Sequence, residues 1–112
     1  MFPARNRLPS PEIKFVLRSR NRVSAKEFQI IFDKNNLSVS RFAVIVSTKI
    51  DKHAVVRNRM KRLVRESIRH LIPNIATGWD CVVMAKMNFE DQKQSGVEKI
   101  LQVLLLQARL LQ

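Results

Sequence analysis

His53-Ala54-Val55-Val56-Arg57-Asn58-Arg59-Met60-Lys61-Arg62-Leu63-Val64-Arg65-Glu66-Ser67-Ile68-Arg69 reads as one amphipathic helix. At about 100° per residue, Val56, Met60, Leu63, Val64, Ser67 and Leu71 gather into the apolar stripe that a core-facing helix needs. The opposite side is almost purely cationic. Arg57, Lys61 and Arg65 follow one another at i, i+4, i+8, and Asn58, Arg62, Arg65 and Arg69 form the adjoining ridge. Like charges at that spacing repel by roughly 0.2 to 0.5 kcal/mol per pair. Glu66, within i, i+4 reach of Arg62, is the one acid on the flank. A helix that only had to fold would interleave acids along this face, so the pattern asks for a polyanion. Arginine outnumbers lysine there, and its planar fork suits bidentate phosphate contacts.

The 112 residues, 46% of them hydrophobic, support one globular domain spanning 1–112 with a real core. Lys and Arg outnumber Asp and Glu by 21 to 9, a net charge of +12, which is the electrostatic footprint of a nucleic-acid binder. No window reaches the roughly 18 apolar residues of a membrane span, and the N-terminus lacks the apolar core of a signal peptide. A soluble, cytoplasmic protein is expected. The single cysteine, Cys81, excludes an internal disulfide and reads as a small buried hydrophobe.

Outward from the helix, Ser40 to Ser47 precedes it as a strand centred on Phe42-Ala43-Val44-Ile45-Val46. Its unbroken apolar character predicts a central position. Glu27 to Asp33 alternates, with Phe28, Ile30 and Phe32 on one side and Gln29, Ile31 and Asp33 on the other. Lys34-Asn35-Asn36 is turn chemistry, so an antiparallel hairpin is the simplest link between the two strands. Ser10 caps a short helix with Pro11 at its first position, Glu12 in its first turn, and Ile13, Val16 and Leu17 on one face. Met1 to Leu8 reads as a mobile basic arm. Asp51 is the expected cap of the basic helix, and Pro73-Asn74 ends it. Trp79 to Lys86 is a buried strand, so strand, helix, strand predicts a parallel β-α-β unit. Ser95-Gly96-Val97-Glu98 has the form of a capping box opening a last helix, with Val97, Ile100, Leu101, Leu104, Ala108 and Leu111 on one face. Val103, Leu105, Leu106 and Leu110 spill beyond that face, which suits broad packing on the sheet.

Nothing points to covalent chemistry by the polypeptide. Acids are scattered singly apart from Glu90-Asp91, His53 and His70 lie too far apart to share a metal, and Gly78 and Gly96 form no phosphate loop. No catalytic residue and no metal ligand is assigned.

The strand Arg41 to Ser47, a short link with Lys49 and Lys52, and a helix reading Arg57-Asn58-Arg59-Met60-Lys61-Arg62-Leu63-Val64-Arg65-Glu66 together closely resemble the bacterial ribonuclease P protein component. Asn6-Arg7-Leu8 and Gly78-Trp79-Asp80 are similar to further stretches of that family. The resemblance implies an α/β fold, an α+β two-layer sandwich that is ribosomal-protein-like. Its element order would be αβββαβα, one strand more than periodicity resolves, with a left-handed β-α-β crossover.

The resemblance further implies a subunit that is a monomer in its complex with ribonuclease P RNA and precursor tRNA. The RNA would perform Mg²⁺-dependent removal of the 5′ leader, with Mg²⁺ bound mainly by RNA subunit and substrate. Carried over by position, Arg57, Asn58, Lys61, Arg62 and Arg65 would contact the RNA subunit, joined by Arg59 and Arg69 and, at the helix entry, by Lys52 and His53. A cleft between the first helix and the sheet would take the leader, lined by Ile13, Val16, Leu17, Phe28 and Phe32, with Arg18, Arg20 and Lys26 along the backbone path. Each of those apolar residues reads equally well as ordinary core.

The chain departs from the family at several places, among them Ala43 and Thr48, which replace residues often glycine and lysine. His53 stands where the family commonly has lysine, and Ile13 and Leu17 stand where it usually presents aromatics, while Phe15 projects away from that face. Two other classes share some of these features. A ribosomal protein or RNA chaperone would bind structured RNA without promoting cleavage. A DNA regulator would need a short helix before the basic one, where a strand stands instead.

Overall fold

The long basic helix, α2 (Ala54–Leu71), buries Met60, Val64, Ser67, Ile68 and Leu71 in this computed structural model, which describes residues 2–111. Ile68 joins the stripe expected from the periodicity. Met60, Val64 and Ile68 are all but fully enclosed, and burying an aliphatic side chain of that size is worth about 1.5 to 3 kcal/mol. Among the described residues α2 is joined by two further α-helices, α1 (Ser10–Val16) and α3 (Gln94–Gln107), and four strands: β1 (Arg22–Ser24), β2 (Phe28–Lys34), β3 (Arg41–Ile45) and β4 (Trp79–Ala85). The order is the αβββαβα series.

One sheet carries all four strands in the order β1-β2-β4-β3. β3 and β4 are parallel neighbours joined through α2, as strand, helix, strand predicts. β2 and β3 are not a hairpin. Asn36 does take the left-handed conformation (φ 60°), and Asn35 Oδ1 accepts the Leu37 amide at 2.7 Å. The turn therefore forms as expected, yet β4 inserts between the strands it joins, pairing antiparallel with β2 and parallel with β3. β3 is accordingly an edge strand, and the central position belongs to β4.

Side chains alternate across the sheet, and the two faces are covered differently. Phe28, Ile30, Phe32, Phe42, Cys81 and Val83 meet α2 and α3 in the larger core, the sheet and helix layers of a sandwich. Ile31 and Val82, with Ala43, Ile45 and Met84, meet Leu8 and α1 on the other face. Burial pushes the Cys81 thiol well above its ordinary pKa. On α3, Leu105 and Leu110 are buried, whereas Val103 and Leu106 face outward.

The N-terminal stretch is docked against the fold; Met1 lies outside the described residues. Phe2, Asn6 and Leu8 are buried. Asn6 Nδ2 donates to the Ser40 carbonyl at 2.8 Å, and the Leu8 amide donates to the Phe42 carbonyl at 2.9 Å. The three expected caps are all displaced. α1 starts at Ser10 itself after Pro9, α2 after His53, and α3 at Gln94 after Lys93, none with a side-chain cap bond.

Candidate nucleic-acid interface

Pairing divides the cations of α2 into two sets. On the flank toward α3, Arg59 Nη1 meets Glu90 Oε2 at 2.7 Å and His70 Nδ1 meets Glu98 Oε1 at 2.8 Å. Glu66 pairs with Arg69 at 2.9 Å instead of Arg62, and this contact holds the Glu66 carboxyl below its usual range. Arg57 Nη1 donates to the Asp51 carbonyl at 3.0 Å. Lys61, Arg62 and Arg65 have no hydrogen-bond or ion-pair partner among the described residues, and neither has the Asn58 side chain. Exposed ion pairs add little stability, about 0 to 1 kcal/mol each. Their effect here is to leave the uncompensated charge on one strip of the helix.

At the helix entry, Asp51 Oδ1 accepts the His53 amide at 2.8 Å and lies 2.9 Å from His53 Nδ1. The amide bond is the first cause of an Asp51 pKa below the usual carboxylate range. Asp51 thus fixes the residue before the helix without capping it. The His53 ring is turned to Asp51, and Lys52 is exposed.

The residues expected in the leader cleft are brought together only in part. Ile13 and Leu17 are half-buried above Ala43, Ile45 and Met84. Val16 is only 3% exposed, packed with Leu8, Ile31 and Val82. Phe28 and Phe32 lie on the opposite face of the sheet and cannot line this cleft. Phe28 meets Phe89 edge-on at 5.6 Å between ring centres, and Phe32 meets Trp79 at 5.8 Å. The alternation of β2 is as expected, but α1 covers the Ile31 side. Arg18, Arg20 and Lys26 are exposed, and the Arg18 guanidinium lies 5.8 Å from the centre of the exposed Phe15 ring.

A part-buried ion network stands next to α1, built from residues distant in sequence. Arg41 forks onto Asp80 (Nε to Oδ1 2.9 Å, Nη2 to Oδ2 2.7 Å) and onto Glu12 (Nη2 to Oε1 3.0 Å, Nη1 to Oε2 3.2 Å). Asn35 Nδ2 also donates to Asp80, at 2.8 Å. The hydrogen bonds to Asp80, ahead of those to Glu12, hold the guanidinium more firmly charged than usual. Arg41 thereby ties α1 to the sheet and is spent within the fold.

No group of three or more His, Cys, Asp or Glu side chains comes together as a metal site among the described residues. The donor set does not fit a protein-held metal ion, and no chemical step is assigned to one. Among the described residues, no helix is long and apolar enough to cross a membrane.

A four-stranded sheet backed by a helix with a strip of arginine and lysine unpaired among the described residues has the form of an α/β protein of the RNA-binding class. The ribonuclease P family profile matches residues 2–109. The ribonuclease P protein component of Rippkaea orientalis is 33% identical over 116 aligned positions, covering 98% of this chain and 91% of that protein. That of Fusobacterium nucleatum is 46% identical over 74 residues, covering 62% of this chain and 66% of that protein, just under two thirds of its length. The ribonuclease P protein of Thermotoga maritima superposes with a TM-score of 0.77 at 26% identity, over 88% of this chain and 94% of the other. The chain belongs to the ribonuclease P protein-component family.

Proposed function

We propose that the chain acts as the protein subunit of ribonuclease P, one RNA-binding unit that works in the cytoplasm as a monomer within the complex. The catalytic RNA performs endonucleolytic removal of the 5′ leader from precursor tRNA, and the protein supplies charge and grip. The observation that carries this reading is the strip of Lys61, Arg62 and Arg65, unpaired among the described residues while Arg59, Arg69 and His70 are matched by acids. These three cations, with Arg57 and Asn58 beside them, replace counterions where RNA phosphates crowd. Mg²⁺ sits mainly on the RNA subunit and substrate, and the protein lowers the concentration needed. The leader runs past Ile13 and Leu17, with Arg18, Arg20 and Lys26 toward its backbone. With aliphatic residues at those two places, the grip rests more on charge than on base stacking, which aromatics supply at about 1 to 3 kcal/mol per base.

The test is cleavage of a 5′-extended precursor tRNA by a bacterial ribonuclease P RNA at low Mg²⁺, with and without the protein. Strong stimulation with correct 5′ ends is expected. Arg62→Ala should weaken RNA association while leaving the unfolding midpoint in place. Tight, salt-sensitive RNA binding with no stimulation would overturn the assignment.

A further inference from the structure

The loop between β4 and α3 holds the entry of α2 from outside. Its anchor is Phe89, 3% exposed and packed edge-on against Phe28 of β2. On either side of that anchor, one residue reaches α2 or its approach. Asn88 Nδ2 donates to Asp51 Oδ2 at 3.1 Å across 37 positions of chain, and Glu90 pairs with Arg59. The two residues are themselves joined, because Asn88 Oδ1 accepts the Glu90 amide at 2.8 Å. That bond fixes which way the Asn88 amide group faces. A flipped group would turn its oxygen on the Asp51 carboxylate and leave the Glu90 amide without this acceptor.

A carboxylate at the entry of a phosphate-binding helix opposes the ligand, and Asp51 instead spends its acceptors inside the protein. Oδ1 takes the His53 amide and faces the His53 ring, Oδ2 takes Asn88, and the side chain is 20% exposed. The Asp51 backbone carbonyl accepts Arg57 Nη1 at 3.0 Å. Arg57 has no other side-chain hydrogen bond among the described residues, so its guanidinium is held at one corner while its remaining N–H groups stay free. Among the described residues, Asn88 is the one hydrogen-bond partner of Asp51 from outside the 51–57 stretch. We propose that Asn88 is a positioning residue for RNA binding: by fixing Asp51 it fixes the carbonyl that presents the Arg57 guanidinium to phosphate. A fork already held loses less side-chain freedom on binding than one that swings in solvent. The inference rests on the reading of Arg57 as an RNA contact, and it extends the RNA-binding machinery to a loop outside the helix.

The first measurement is binding of full-chain variants to a bacterial ribonuclease P RNA. Asn88→Ala should weaken binding by roughly threefold to tenfold, the effect of freeing one rotamer-rich side chain. Arg57→Ala should weaken it more. The double variant should bind no worse than Arg57→Ala alone, because residues that act through one another are not additive. Additive losses, or no loss from Asn88→Ala, would overturn the proposal. Asn88→Asp keeps an acceptor for the Glu90 amide but sets a second carboxylate against Asp51, and it should bind worse than Asn88→Ala. Combining it with Asp51→Asn exchanges donor and acceptor at the wild-type net charge and should restore most of the affinity. An exchange variant as weak as Asn88→Asp would overturn the proposal too. Urea midpoints follow folding, and binding is compared where every variant is fully folded.

The outcomes separate this inference from the reading beneath it. If Arg57→Ala binds as wild type does, the RNA-contact role of Arg57 fails and the positioning role of Asn88 fails with it. If Arg57→Ala weakens binding and Asn88→Ala does not, the positioning role alone falls, and wild-type stimulation of cleavage leaves the proposed function standing. Conversely, non-additive losses in a chain that stimulates no cleavage would uphold the role of Asn88 and reject that function.

Discussion

Asp80 shows how one side chain can set the position of a surface. It is 7% exposed and accepts both Arg41 and Asn35, and Arg41 carries the connection on to Glu12 in α1. Removing one member of a buried ion pair leaves the other desolvated, at a cost of several kcal/mol. Asp80→Ala is therefore expected to destabilise the fold by about 3 kcal/mol, read as a lowered urea midpoint, and to loosen α1 above the sheet. Glu12→Ala should cost much less, since its side chain is 44% exposed and Arg41 keeps Asp80. Equal losses would show that Glu12 anchors the arginine as firmly as Asp80 does. The sequence does not reveal this network, because its members lie 29 and 39 positions apart and carry no periodic signal. The cationic strip is different. Arg57 to Arg65 are local to one helix, where spacing alone places them on a face. The pairing of Arg59 with Glu90 depends on α3, so the sequence shows which cations are present but not which of them are neutralised.

Elements with a strong internal pattern are legible, and elements defined by their partners are not. α2 and β4 follow from periodicity and from an apolar run. β1 has three residues, of which Val23 is the one apolar member, and it exists because β2 offers it an edge. The Lys34 to Asn36 turn correctly predicts a chain reversal, but turn chemistry cannot report that β4 inserts between the two strands. The same limit misplaces Phe28 and Phe32. Alternation groups them with Ile30, but which face α1 covers is decided by packing. Gly78 is the point where the start of β4 is fitted to that turn. It has φ 87°, and a Cβ there would stand 3.3 Å from the Leu37 carbonyl oxygen. Its own carbonyl accepts the Asn35 amide at 3.0 Å. Gly78→Ala should cost about 1 to 2 kcal/mol, the usual penalty of a left-handed non-glycine residue. Chemical denaturation measures it, and a variant as stable as wild type would mean that the turn relaxes without strain.

Across the whole molecule the +12 charge opposes folding and favours assembly, and the paired and unpaired cations divide those effects. Acids from α3 and the loop before it neutralise one flank of α2, while the flank toward β3 keeps its charge. Lys61, Arg62 and Arg65 repel one another along that flank, so removing them should leave the thermal midpoint unchanged or raise it slightly. RNA binding should respond in the opposite direction. Each neutralised phosphate contributes about 0.7 to 0.9 to the slope of log affinity against log salt. The triple alanine variant should therefore lose roughly 2 to 3 units of slope along with most of its affinity at low salt. The measurement is a salt series of RNA-subunit binding by wild type and variant, with a melting curve of each protein. A smaller slope with an intact fold assigns the strip to phosphate. An unchanged slope with an intact fold would move the electrostatic contact to the exposed cations of the N-terminal half, Arg18, Arg20 and Lys26 among them, and would leave α2 as a structural helix with a solvated face.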